Sequence, residues 1–143
     1  MKLLSLSDKI RIGCSGWSYR DWSGIFYPET LSPRDYLNFY SRNFNCVEID
    51  SSFYRTPSPF IVDQWRRSTP DNFTFSPKLP KKITHDNKLQ NFEPYLIRFY
   101  GSVNKFGGKL GPIVAQLPPS IKVEKHKALM EKFVSQLNPK FKH

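Results

Sequence analysis

Cys46-Val47-Glu48-Ile49-Asp50 and Phe73-Thr74-Phe75-Ser76-Pro77-Lys78 are the two stretches that decide the fold. Each alternates apolar with polar residues, the period-two pattern of a strand with one covered face. Between them stands Ser58-Pro59, then Ile61, Val62 and Trp65, then Pro70. A capping serine, a proline at the first helical position, an apolar stripe at helical spacing and a terminating proline predict a helix. Strand, helix and strand in this order predict a right-handed crossover between parallel strands.

The same unit recurs outward in both directions. Upstream, Ile10 to Ser15 reads as a strand, Gly16 to Thr30 as a long aromatic loop, and Ser32-Pro33 as the start of a helix carrying Tyr36, Leu37, Tyr40 and Phe44. Downstream, Tyr95, Leu96, Phe99, Val103 and Phe106 mark a third helix with Gly107 as its C-cap. Ile113 to Leu117 is a fourth strand, stopped by Pro118-Pro119, and Leu129, Met130, Phe133, Val134 and Leu137 form the stripe of a fourth helix. The expected fold is α/β, a single domain over residues 1–143 with parallel (βα)4 order. A closed barrel of such units needs eight and typically ~250 residues. The expectation is therefore half of a TIM-type barrel, truncated before a fifth strand.

The chain carries 22 Lys and Arg against 12 Asp and Glu, a formal net charge of +10. That balance favours anionic partners, either phosphorylated small molecules or nucleic acid. No stretch approaches the ~20 apolar residues of a membrane span, so no membrane role is expected. The run Met1 to Ser5 is too short for a signal peptide. Cys14 and Cys46 fall at different heights on neighbouring strands, against a disulfide, and two reduced thiols suit the cytoplasm. No metal-ligand spacing, glycine-rich phosphate loop or nucleophile elbow is present, so neither a metal nor an organic cofactor is expected. Gly107-Gly108-Lys109 reads as a helix-to-strand turn.

Sites in barrels of this type form at the C-terminal ends of the strands. Parity sorts the side chains: Val47, Ile49, Phe73 and Phe75 face the helices, which turns Glu48, Asp50 and Lys78 to the other face, with Gln116 near the end of strand four. Charge so placed needs a partner, and Lys78 with Glu48 or Asp50 is the natural pair. Glu48, Lys78 and Gln116 are the candidate catalytic residues. Lys78 would hold an anionic group while a carboxylate acts as base or hydrogen-bond anchor; a structural ion pair is the competing reading. Candidate ligand contacts are Trp17, Tyr19, Asp50, Tyr54, Arg55 and His85. The loop aromatics suit stacking on a base or sugar, or equally a dry lid over the core.

Four blocks occur in order: GCSGWSYRDWSGIFYP at 13–28, VEIDSSFYRTPS at 47–58, FTFSPKLPKKITHD at 73–86 and KLGPIVAQLPPS at 109–120. Together they resemble the domain-of-unknown-function 72 (YecE-like) family from about Ile10 to Leu137. The matching residues include Ser15, Gly16, Trp17, Tyr19 and Trp22, then Glu48, Ser51, Phe53, Tyr54 and Arg55, then Lys78, Pro80, Thr84 and His85, then Gln116 to Pro119. Asp50 stands where the family commonly has asparagine. The resemblance implies a TIM-type barrel and a pocket, and implies no reaction. It also implies a fifth strand with a Glu-Phe-Arg block, before which this chain stops. Three functions compete: an enzyme on an anionic substrate, a non-catalytic nucleic-acid binder, and a truncated or split-gene product inactive without its missing half. A homodimer or a separately encoded second half-barrel would supply the absent strands.

Overall fold

A computed structural model describes residues 10–143; the Met1 to Ser5 run lies outside them. The two deciding stretches form strands β1 (Cys46–Ile49) and β2 (Thr74–Pro77). They pair in parallel, with Cys46 opposite Thr74, Val47 opposite Phe75, Glu48 opposite Ser76 and Ile49 opposite Pro77. Val47, Ile49, Phe75 and Pro77 are buried while Cys46, Glu48, Thr74 and Ser76 are half-buried. Parity therefore separates a dry helix-facing side from a wetter one.

The outer two segments differ from expectation. Ser15 bridges Glu48, Leu110 bridges Phe75 and Val114 bridges Lys78, all in parallel, yet these are isolated bridges rather than ladders. Beyond the bonds that Cys14 O and Gly16 N make with Glu48, the first segment has backbone groups taken by side chains. Asn45 Oδ1 accepts from Ile12 N at 2.8 Å, Asn45 Nδ2 donates to Ile10 O at 3.1 Å, and Tyr40 Oη accepts from Cys14 N at 2.6 Å. At the fourth segment Pro112 has no N–H to give, and Ile113 N donates to Lys142 O at 2.8 Å instead.

Helix α1 (Tyr36–Asn43) is entered through a 3-10 turn at Pro33–Asp35. Helix α2 is a single turn, Ser51–Tyr54, directly after β1, and α3 spans Pro59–Arg67. Ser58 Oγ caps α3 by accepting from Ile61 N at 3.3 Å. A π-helical turn, Lys82–Asp86, precedes α4 (Glu93–Val103), and α5 spans Val123–Ser135. Gly107 is not the C-cap: α4 closes at Asn104 and runs on into a 3-10 turn, Asn104–Lys109, in which Gly107 takes φ 57° and ψ −131°, a kink that favours glycine. The short α2 and the π turn have no apolar periodicity behind them and were not anticipated.

The core lies between β1–β2 and the helices. Phe75 stacks on Phe106 at 4.4 Å, Trp65 stacks beyond it at 6.5 Å, and Tyr27 stacks on Tyr36 at 3.9 Å. On α5 only Phe133 is buried, edge-on to Phe92 at 4.9 Å. Val134, expected in that stripe, is 62% exposed, and Tyr95 of α4 is also exposed. Two isolated bridges in place of a fourth ladder give α5 a narrow platform on which to bury its stripe. Lys109, the last residue of the predicted glycine turn, is buried and donates to Arg66 O at 2.8 Å and Thr69 O at 2.7 Å, a cation at the C-terminal end of α3 and the turn that follows it.

Cys14 and Cys46 are both free thiols, and burial pushes the Cys46 thiol up. Burial, then the neighbouring Tyr36 and Cys14, pushes the Tyr27 phenol up to about 12. An unfolded tyrosine titrates near ~10. The folded chain thus holds that proton more tightly, and the resulting stability is complete below pH ~10. It drains away as pH rises through the folded value of about 12. The melting temperature should fall across that window, and Tyr27→Phe should flatten the fall. An equally steep decline in the variant would show that Tyr27 is not responsible.

Candidate functional site

The parallel register brings three charged side chains together where β1 and β2 end. Glu48 lies opposite Ser76, so Lys78 sits diagonally above Glu48 and level with Asp50. Lys78 Nζ is 2.6 Å from Asp50 Oδ1 and 3.1 Å from Glu48 Oε1. Its side chain is 13% exposed, against 31% for Glu48 and 44% for Asp50. The Asp50 hydrogen bond, opposed by burial and aided by Glu48, holds the Lys78 ammonium above the usual lysine range. Lys78 is therefore a cation at neutral pH and no proton acceptor. One ammonium and two carboxylates leave the cluster an excess of negative charge when both acids are ionised.

Two serines complete the arrangement. Ser15 Oγ donates to Glu48 Oε1 at 2.8 Å, from the bridge that joins the first segment to β1. Gly16, at φ 84°, turns the chain away at once. Ser52 is fully buried under the strand ends, 2.7 Å from Ile49 O and 2.8 Å from Lys78 O, and accepts from Lys78 N at 2.9 Å. Its hydroxyl ties β1 to β2 where Pro77 cannot donate. Neither serine was among the candidate residues: a serine after a strand gives no sign of which partner it will meet.

The other candidates divide. Trp17 turns away from the ion cluster and packs edge-on to Trp65 at 5.1 Å, with its carbonyl accepting from Tyr27 Oη. Trp22 likewise joins Phe26, Tyr27 and Tyr40. For those rings the dry-packing reading describes the geometry. Tyr19 is exposed, 4.7 Å from the Trp22 ring, and its hydroxyl bonds Ser15 O. Tyr54 is exposed and touches Phe53, and His85 meets the same Phe53 edge-on at 4.9 Å. His85 Nδ1 also pairs with Thr84 Oγ1 at 2.9 Å. Gln116 is exposed two residues past Val114. Among the described residues it makes no hydrogen bond to Glu48, Asp50 or Lys78.

Arg55 lines a cleft of about 760 Å³ together with Ser51, the neighbour of Asp50, and Arg98 on α4. Among the described residues no three His, Cys, Asp or Glu are grouped to hold a metal, and no helix is long and apolar enough to cross a membrane.

The family model described as "Protein of unknown function DUF72" matches residues 11–143. Over 109 residues the chain is 31% identical to UPF0759 protein YecE of Escherichia coli (strain K12), covering 76% of this chain and 38% of that protein. It is 30% identical over 118 residues to UPF0759 protein YunF of Bacillus subtilis (strain 168), covering 77% and 40%. A crystal structure of a DUF72 family protein from Thermotoga maritima MSB8 aligns with TM-score 0.70 at 28% identity, over 86% of this chain and 51% of that one. One from Enterococcus faecalis V583 aligns with TM-score 0.69 at 22% identity, over 89% and 48%, a likeness of fold. The chain thus spans about two-fifths of the curated relatives' length and about half of the solved chains.

Proposed function

The chain belongs to the DUF72 family, and from that premise we propose that it forms the first (βα)4 half of a TIM-type barrel binding a phosphorylated small molecule at the C-terminal ends of its strands. The observation that carries the reading is Lys78 Nζ lodged between Asp50 and Glu48 at 2.6 and 3.1 Å. Parallel strands converge their functional side chains at that end, and a charged cluster left half-open there suits a ligand better than a buried structural pair. Because carboxylates outnumber the ammonium, the ligand group meeting them is a hydrogen-bond donor such as a hydroxyl, and its anionic end lies farther off. Asp50, the more exposed acid, is the anchor or base; Glu48 positions Lys78; Gln116 adds an amide from the next segment. A second half-barrel, whether from a second copy of this chain or from another stretch of polypeptide, would complete the wall, in the cytoplasm.

A screen of phosphorylated metabolites by thermal shift, with light scattering on the same sample, tests this. At least one should raise the melting temperature. A hydrogen bond to a charged group is worth about 1.5–3 kcal/mol, so Asp50→Asn and Lys78→Met should each weaken that ligand roughly tenfold to a hundredfold. Asp50→Asn keeps the shape, which guards against mistaking unfolding for lost binding. Wild-type affinity in both variants would sink the strand-end reading. Full affinity in a stable monomer would remove the need for a partner. Tight oligonucleotide binding with a steep salt slope, and no small ligand, would favour the nucleic-acid reading that the net charge of +10 also suits.

A further inference from the structure

Beside the ion cluster lie two adjoining clefts, of about 760 and 310 Å³, that share Arg55, Thr56 and Arg98. Ser51 lines the larger; Lys82 and Tyr95 line the smaller, with Lys82 Nζ 5.8 Å from the Tyr95 ring centroid. No Asp or Glu lines either cleft. Some cations have acids beside them: Arg66 and Arg67 share Asp63, and Lys78 takes both Glu48 and Asp50. Among the described residues Arg55, Arg98 and Lys82 form no such pair. Three cations around a concave surface without a carboxylate raise the local potential for an anion. Guanidinium forks match the paired oxygens of a phosphoryl group.

We infer that Arg55 and Arg98, with Lys82 at the rim, form a binding site for the phosphoryl group of a small phosphomonoester. The site deepens the strand-end reading, on which it rests, by placing the anionic end of the ligand away from the two carboxylates. The volumes fall within the ~300–1,000 Å³ range of small-molecule pockets, which favours a compact ligand over a polymer. Ser51, which lines the larger cleft together with the two arginines, follows Asp50 directly, so the cleft adjoins the chain that carries the ion cluster. Thr56 adds a neutral hydroxyl where the two clefts meet.

The test uses the full chain with inorganic phosphate and phenyl phosphate, titrated by calorimetry at fixed salt. One saturable site is expected. Arg98→Gln and Arg55→Gln should each weaken it about tenfold to a hundredfold, the range for hydrogen bonds to charged groups. Lys105→Gln, outside both clefts, serves as the control for general charge and should leave affinity unchanged. Arg98 is exposed, so circular dichroism should show both arginine variants folded. No saturable binding by the wild type, unaltered affinity in Arg98→Gln, or equal weakening in Lys105→Gln would each overturn the assignment. An oligonucleotide whose affinity grows with length and that displaces phenyl phosphate would overturn the small-molecule assignment in favour of a polyanion surface. Failure of Arg98→Gln would leave the strand-end reading to the Lys78→Met response with the whole ligand, so the two fail separately.

Discussion

Phe75→Ala is expected to lower the stability of the fold by about 3–5 kcal/mol. Phe75 is fully buried in the middle of β2, stacked on Phe106 at 4.4 Å and edge-on to Phe73 at 5.0 Å. Phe106 in turn carries Trp65 of α3, so the cavity would open where sheet, helix and the turn after α4 meet. Rings on several sides limit collapse into the gap, which puts the loss at the upper end. Urea denaturation of both proteins measures it. A loss below about 1 kcal/mol would mean that the site relaxes freely and that the aromatic column is not the centre of the core.

Gly13→Ala is expected to cost roughly 3 kcal/mol, the upper end of what overpacking usually does. A β-carbon at Gly13 would lie 2.0 Å from Cys46 O and 2.7 Å from Cys46 C. Both atoms belong to the β1 backbone, which cannot rotate aside as a side chain would. The first segment would have to retreat, and it is held through Asn45, Tyr40 and the Ser15–Glu48 bridge. Retreat would draw Ser15 Oγ from Glu48, so the damage reaches the ion cluster. The check is denaturation together with ligand affinity. An alanine variant that melts with the wild type would show that the segment floats over β1 rather than resting on it.

What the sequence made legible follows from how local each signal is. The alternation in residues 46–50 and 73–78 is a property of adjacent positions, so the covered face, and the company of Glu48, Asp50 and Lys78, could be read directly. Ser58-Pro59 marked a helix start for the same reason. The outer segments were legible as extended, but their bonding was not. Asn45, Tyr40 and Lys142 intercept groups that strand pairing would have used, and nothing in 10–15 or 113–117 records that competition. Trp17 is similar: an aromatic after a strand can turn either way, and the choice is made by Trp65, 48 positions on. Arg98 carried no signal, because its meaning comes from Arg55 across the cleft.

Ser52 has one further consequence for the floor beneath the charges. It owns a single proton and has two carbonyl acceptors at nearly equal range, Ile49 O at 2.7 Å and Lys78 O at 2.8 Å. The proton can serve either one by a torsional swing, with no heavy atom displaced. A buried dipole with two almost equivalent orientations is a local source of polarisability. When a charge above it changes, through ligand arrival or proton transfer, this hydroxyl can reorient in step while the strands stay still. The cluster thus combines rigid geometry with a compliant electrical response.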